Sequence, residues 1–195
     1  MTNKPQFLIL HHNGGTALDL SADTSNHSFE DVNAWHKTLW PYFISKLGFV
    51  IGYHWYIDKQ GKITQGRDET EAGAHVIGMN DKSIGICLSG NFDRLPTLPN
   101  SKPTDVQIAT LKKLLKEICQ RHGIARENIV GHRHFSTSKT CPGKNLTDDF
   151  GQRLLEEPKI EELQKQRLTL MQQIIETLKL LIIRWQNKLG GRKYD

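Results

Sequence analysis

Apolar and polar residues along the chain fall into short alternating or periodic stretches separated by turn-forming segments. Phe7-Leu8-Ile9-Leu10 runs straight into His11-His12, the pattern of a buried strand whose last side chains emerge at a sheet edge. A Gly/Ser/Thr/Asn/Asp-rich loop follows over residues 13–26. Ser28-Phe29-Glu30-Asp31 has the form of a capping box, and Val32, Trp35, Leu39 and, past Pro41, Phe43 keep helical spacing. Pro41 is expected to kink or divide this helix. Residues 50–67 alternate about Lys59-Gln60-Gly61, which predicts a hairpin pairing Tyr53-His54-Trp55-Tyr56-Ile57 with Lys62-Ile63-Thr64-Gln65. Residues 83–90 read as another buried strand, and three prolines mark residues 92–103 as loop. Thr104-Asp105-Val106-Gln107 is a second capping box; its helix carries Ile108, Leu111, Leu115, Ile118 and Cys119 on one face and ends at Gly123. Ile129-Val130 is a short strand that delivers Gly131-His132. This alternation predicts an α/β domain with a mixed central sheet covered by helices.

After Pro158 the period changes. Leu168, Met171, Ile175, Leu178, Ile182, Trp185 and Leu189 form a heptad stripe flanked by Ile174 and Leu181, and Gly190-Gly191 is expected to stop it. The chain therefore divides into residues 1–157 and a long C-terminal amphipathic helix within 158–195. From the pattern alone, that helix packs on its own domain, pairs with other copies as a coiled coil, or lies on an anionic membrane.

Charge sharpens the division. Of the net +5, residues 158–195 hold +4, leaving +1 on the first 157 residues. A near-neutral domain lacks the clustered basic face that phosphate binding needs, so no nucleic-acid partner is expected. No uninterrupted apolar run exceeds four residues, far short of the roughly 20 that cross a bilayer. The amino-terminal apolar stretch meets paired histidines rather than a small-residue cleavage site, so the expectation is no signal peptide and synthesis in the cytoplasm. Three cysteines, Cys87, Cys119 and Cys141, make an odd and sparse set that argues for reduced thiols or a metal ligand rather than a disulfide framework.

Candidate chemistry lies at strand ends. His11 closes the first strand, His132 follows a late one, and Cys141 comes nine residues on. Taken singly, a strand-end histidine is more often structural and a lone cysteine a small buried hydrophobe. Together, two imidazoles and a thiolate are good zinc ligands, and three protein ligands leave a fourth position open, as in catalytic zinc sites. His54 alternates with Tyr53 along a strand and reads as structural; His36 reads as a packing residue, and Cys87 and Cys119 as inert core thiols.

Leu10-His11-His12-Asn13, Gly52-Tyr53-His54-Trp55-Tyr56-Ile57, Gly73-Ala74-His75, Asn80-Asp81-Lys82-Ser83-Ile84-Gly85-Ile86-Cys87, Gly131-His132-Arg133 and Lys139-Thr140-Cys141-Pro142-Gly143 occur in this order. Together they resemble the zinc-dependent N-acetylmuramoyl-L-alanine amidases, the family of phage T7 lysozyme and the peptidoglycan recognition proteins. The resemblance implies peptidoglycan as substrate, Zn2+ held by His11, His132 and Cys141, and Tyr53 and Lys139 as catalytic side chains. It further points to His75 and Asn80 as groove residues for glycan or stem peptide, although both read equally well as loop residues capping the next strand. The expected role is a phage or prophage endolysin acting on the cell wall after release. The alternatives are a cytosolic muropeptide-recycling amidase and a non-catalytic peptidoglycan-binding module. The chain departs from the family pattern at His134, where relatives commonly have Asp. On a strand His134 would share a face with His132 and compete as ligand, with His132 preferred. The spacing from His132 to Cys141 is about one residue longer than in the family pattern, and the segment over residues 39–49 is longer than the usual link.

Overall fold

A computed structural model describes residues 2–14, 20–156 and 160–190, with backbone alone for 160–163 and 187–190. The chain forms two compact units, residues 1–155 and 156–195. Residues 15–19 of the early loop lie outside the described residues, as do Lys159, Gly191, Arg192, Lys193 and the side chain of Leu189 in the terminal segment.

The first unit is built on a mixed five-stranded sheet in the order β3-β2-β4-β1-β5. Its strands are β1 (Phe7–His12), β2 (Trp55–Ile57), β3 (Ile63–Gln65), β4 (Ser83–Leu88) and β5 (Ile129–Gly131). β1 runs parallel to β4 and β5, β2 runs parallel to β4, and only the β2-β3 hairpin is antiparallel. The two central strands are covered on both faces, which is why they read as apolar runs rather than alternations.

Helix α1 (Phe29–Leu39) starts where the capping box forms: Ser28 Oγ accepts from the Asp31 N–H and the Asp31 carboxylate accepts from the Ser28 N–H. It stops at Leu39, because a residue before proline avoids helical geometry and Pro41 follows Trp40. Its buried face is Phe29, Val32 and His36, while Trp35 and Leu39 are 53% and 47% exposed. This corrects the phase expected from the apolar spacing. His36 belongs inside because its Nδ1 accepts the Gly52 N–H at 2.8 Å, a bond that no hydrophobic pattern encodes.

Helix α2 (Asp105–His122) lays Leu111, Leu114, Leu115 and Ile118 against Leu8, Leu10, Ile84, Ile86 and Leu88 of the sheet, the main core. Gly123 ends it in the left-handed region, at φ 65°, and its N–H bonds the Cys119 carbonyl. A short helix, α3 (Phe150–Leu154), closes the unit.

The second unit is a single helix, α4 (Ile160–Gly190), of 31 residues. At ~1.5 Å per residue it is about 45 Å long. All its side chains over 164–186 are exposed, among them Leu178, Leu180, Leu181, Ile182, Ile183 and Trp185. Among the described residues no helix is long and apolar enough to cross a membrane.

Candidate metal centre

Parallel pairing sets the carboxyl ends of β1 and β5 side by side, the place where open α/β sheets bind ligands. Side chains alternate along a strand, so His11 and His12 leave β1 on opposite faces. His11 is buried, and its Nδ1 lies 3.5 Å from Cys141 Sγ. Beyond Gly131 the chain leaves the sheet for a 3₁₀ turn over His132–His134. From that turn His132 joins His11 and Cys141, while His134 is exposed against the Phe135 ring. Cys141 arrives on a loop tied down by the Arg133 N–H, which donates to the Cys141 carbonyl at 2.9 Å. Gly131 permits this approach, since a Cβ there would sit 2.4 Å from Pro142 Cδ.

One donor atom each from His11, His132 and Cys141 lies within 4.8 Å of the others, the one such group among the described residues. Tetrahedral zinc, with bonds of about 2.05 Å to nitrogen and 2.3 Å to sulfur, sets those two donors about 3.5 Å apart. The His11–Cys141 separation matches that value, and two imidazoles with a thiol are a donor set that suits the ion in chemistry.

Hydrogen bonds settle which His11 nitrogen is free. Ser83 Oγ donates to the Met79 carbonyl at 2.6 Å, leaving its oxygen to accept from His75 Nε2–H at 3.5 Å. His75 Nδ1 is then the acceptor for His11 Nε2–H at 3.0 Å. His11 Nδ1 is left bare toward Cys141, the arrangement that orients a ligating imidazole. Burial, reinforced by the neighbouring imidazoles, holds His11 and His75 well below the ordinary histidine range, so both rings stay neutral. His132 is lowered by burial and by Lys139. Burial pushes the Cys141 thiol up to about 12, opposed by the His12 backbone N–H, Arg133 and Lys139; binding a metal there must displace its proton.

Tyr53 lies just before β2, its ring 4.9 Å from that of His11. Burial foremost, with the nearby Cys87, raises its hydroxyl well above the ordinary range, so it remains a proton donor. Lys139 is exposed and lines a cavity of about 310 Å³ with Gly131, Arg133, His134, Thr137 and Asp148. A second cavity of about 630 Å³ is lined by Asn80, Gly73 and Ala74 with the apolar rim of Trp40, Phe43 and Ile44. A run of ring contacts, His11–Tyr53–His36–Trp40, leads from the cluster to that rim at centroid spacings of 4.9, 5.3 and 5.0 Å.

His75 sits beneath His11 rather than on an open wall, whereas Asn80 both faces the second cavity and caps its loop by accepting the His75 and Val76 N–H groups. His54 is fully buried, bridging the Gly85 N–H and the Glu71 carbonyl. Cys87 is buried beside His11 in the β1-β4 register, and Cys119 is half-buried on α2. Sequence reasoning passed over His12, Asp93 and Arg133, which brace the Cys141 loop. His12 and Arg133 stand inside the quoted motifs without a role, and Asp93 stands in none.

Two imidazoles and a thiol converging at parallel strand ends define a candidate metallohydrolase. Residues 1–144 match the N-acetylmuramoyl-L-alanine amidase family model, and the chain belongs to that family. It is similar to the endolysin of Klebsiella phage KP32, 30% identical over 124 residues, covering 63% of this chain and 74% of that protein. It is also similar to peptidoglycan-recognition protein SC2 of Drosophila melanogaster, 28% identical over 152 residues, covering 77% and 74%. Among solved structures, the endolysin N-acetylmuramoyl-L-alanine amidase LysCS from Clostridium intestinale URNW superposes with a TM-score of 0.60 at 25% identity, covering 78% of this chain and 84% of the other.

Proposed function

We propose that this protein hydrolyses the amide between the lactyl group of N-acetylmuramic acid and L-alanine in peptidoglycan, using zinc, as a phage or prophage endolysin. The observation that carries the reading is the convergence of His11, His132 and Cys141 within 4.8 Å, with the Tyr53 ring against His11. Zinc at such a site activates water at neutral pH and polarises a carbonyl. Tyr53, kept protonated, offers an O–H to the attacking water or the leaving nitrogen. Lys139 brings a positive charge toward the developing oxyanion, a contribution of about 2.7–4 kcal/mol in comparable sites. The cavity that Lys139 lines, and the second one past Tyr53 and His36, suit a long ligand with glycan and peptide arms. The relatives named endolysins support a lytic role.

The full chain, loaded with zinc, is expected to release stem peptides with a free alanine amine from purified sacculi while leaving the glycan strands intact. Cys141→Ser should lose zinc and hydrolysis together; hydrolysis unchanged in that variant overturns the mechanism. Cleavage of soluble anhydro-muropeptides but not sacculi identifies a recycling enzyme, and binding without cleavage identifies a recognition module.

α4 serves, in this reading, to hold the enzyme on anionic envelope lipid. Leu180, Leu181, Ile182 and Ile183 point to every side of the helix, more apolar surface than the seam of a two-stranded coiled coil covers. Lys179 and Arg184 flank that ring of apolar side chains with positive charge. Sedimentation with anionic vesicles tests this; concentration-dependent dimerisation without lipid binding favours self-association instead.

A further inference from the structure

Cys141 lies in a loop without regular secondary structure, so no ladder of backbone bonds places its sulfur. Two side chains of opposite charge do so instead. Arg133 grips the loop from one side, donating to the carbonyls of Thr140, Gly143 and Leu146 at 3.1, 2.9 and 2.6 Å. Asp93, from the connection between β4 and α2, holds it from the other. Its Oδ2 accepts the Thr140 hydroxyl at 2.6 Å, and its Oδ1 accepts the Lys144 N–H at 2.8 Å, bonds that fall on both sides of Cys141 in sequence.

Asp93 is itself fixed. Its N–H donates to Asn91 Oδ1 at 3.1 Å, and its Oδ2 faces His12 Nε2 at 3.7 Å. His12 Nδ1 accepts the Phe92 N–H at 3.0 Å, so the ring proton is on Nε2, toward the carboxylate. The end of β1 therefore meets the site twice, with His11 Nδ1 3.5 Å from the Cys141 sulfur and His12 facing the carboxylate that brackets the Cys141 loop.

We propose that Asp93 is a positioning residue for the metal centre: by holding Thr140 and Lys144 it sets the place of the Cys141 sulfur relative to His11, and with it the affinity for zinc. This rests on the zinc reading of the site. Supporting residues around metal ligands typically change affinity about 10–100-fold when removed.

The test uses the full chain, with zinc affinity measured by chelator competition and the thiolate-to-metal charge-transfer band recorded with Co2+. Asp93→Ala should weaken zinc binding about 10–100-fold and weaken or shift the band. Asp93→Asn, which keeps an acceptor for the Lys144 N–H, should lie between Asp93→Ala and wild type. Thr140→Val removes one bond at an exposed position, so it keeps the proposal testable should Asp93→Ala fail to fold; it should weaken binding several-fold, and Thr140→Ser should restore it. Wild-type affinity and an unchanged band in these variants, or a loss confined to the thermal stability of the metal-free chain, overturn the inference. A wild-type chain that takes up neither zinc nor cobalt overturns the zinc reading itself, and the inference with it.

Discussion

Burial pushes His36 and His54 down to about 4 from the ordinary 6.5, with Arg67 adding to the effect at His36 and the Glu71 carbonyl opposing it at His54. Each ring is therefore neutral in the folded chain while the unfolded chain takes up a proton. The stability this contributes is complete above pH 6.5 and is lost as pH falls from 6.5 to 4. For one such ring the loss is on the order of 3 kcal/mol. His36→Gln keeps an acceptor for the Gly52 N–H but cannot titrate. Urea denaturation of wild type and variant should shift in the variant's favour by ~3 kcal/mol between pH 7 and 4; a constant difference would refute the buried-neutral state. His11 and His132 are legible in the sequence because they sit at or just past strand ends, and Cys141 because it stands in the Lys139-Thr140-Cys141-Pro142-Gly143 motif. Asp93 is not, since the groups it holds lie 47 and 51 residues further on and no local pattern links them.

Strand β4 shows how an element without a donor of its own shapes the site. Gly85 lies under the His75 ring, and a Cβ there would come within 2.8 Å of that ring, which is too well buried to move away freely. Gly85→Ala should push His75 off the His11 Nε2 and lower zinc affinity about tenfold or more, measured by chelator competition, with helix content unchanged. The hairpin is readable from alternation and its turn, and β2 pairs with β3 as Trp55 opposite Gln65 and Ile57 opposite Ile63. The phase of α1 is not readable, because a buried backbone N–H rather than an apolar neighbour draws His36 inward. The placing of His132 and His134 is not readable either, because β5 stops at Gly131 and both rings leave a 3₁₀ turn rather than a strand.

At the scale of the molecule, the fold divides the chain after residue 155, and residues 158–195 carry +4 of the net +5. A chain in which Leu181 and Ile182 are both replaced by Glu should lose binding to anionic vesicles while cleaving soluble muropeptides at the wild-type rate. Retained vesicle binding would show that the apolar ring of α4 is not the contact. The mixed sheet with covering helices follows from strand signals, since the strands and the long crossovers that parallel pairing needs are displayed in the sequence, whereas the strand order is not. What covers α4 is not written in its heptads, since the same stripe suits a helix partner or a lipid surface.

His11 and Cys141 are 130 residues apart in the chain and 3.5 Å apart in space. β5, the last strand to be synthesised, docks at the edge of the sheet against β1, the first. During translation the first imidazole thus waits for nearly the whole domain before its partners leave the ribosome. A nascent or truncated chain that stops short of residue 141 lacks the last donor, and chemistry that needs all three would be absent from it.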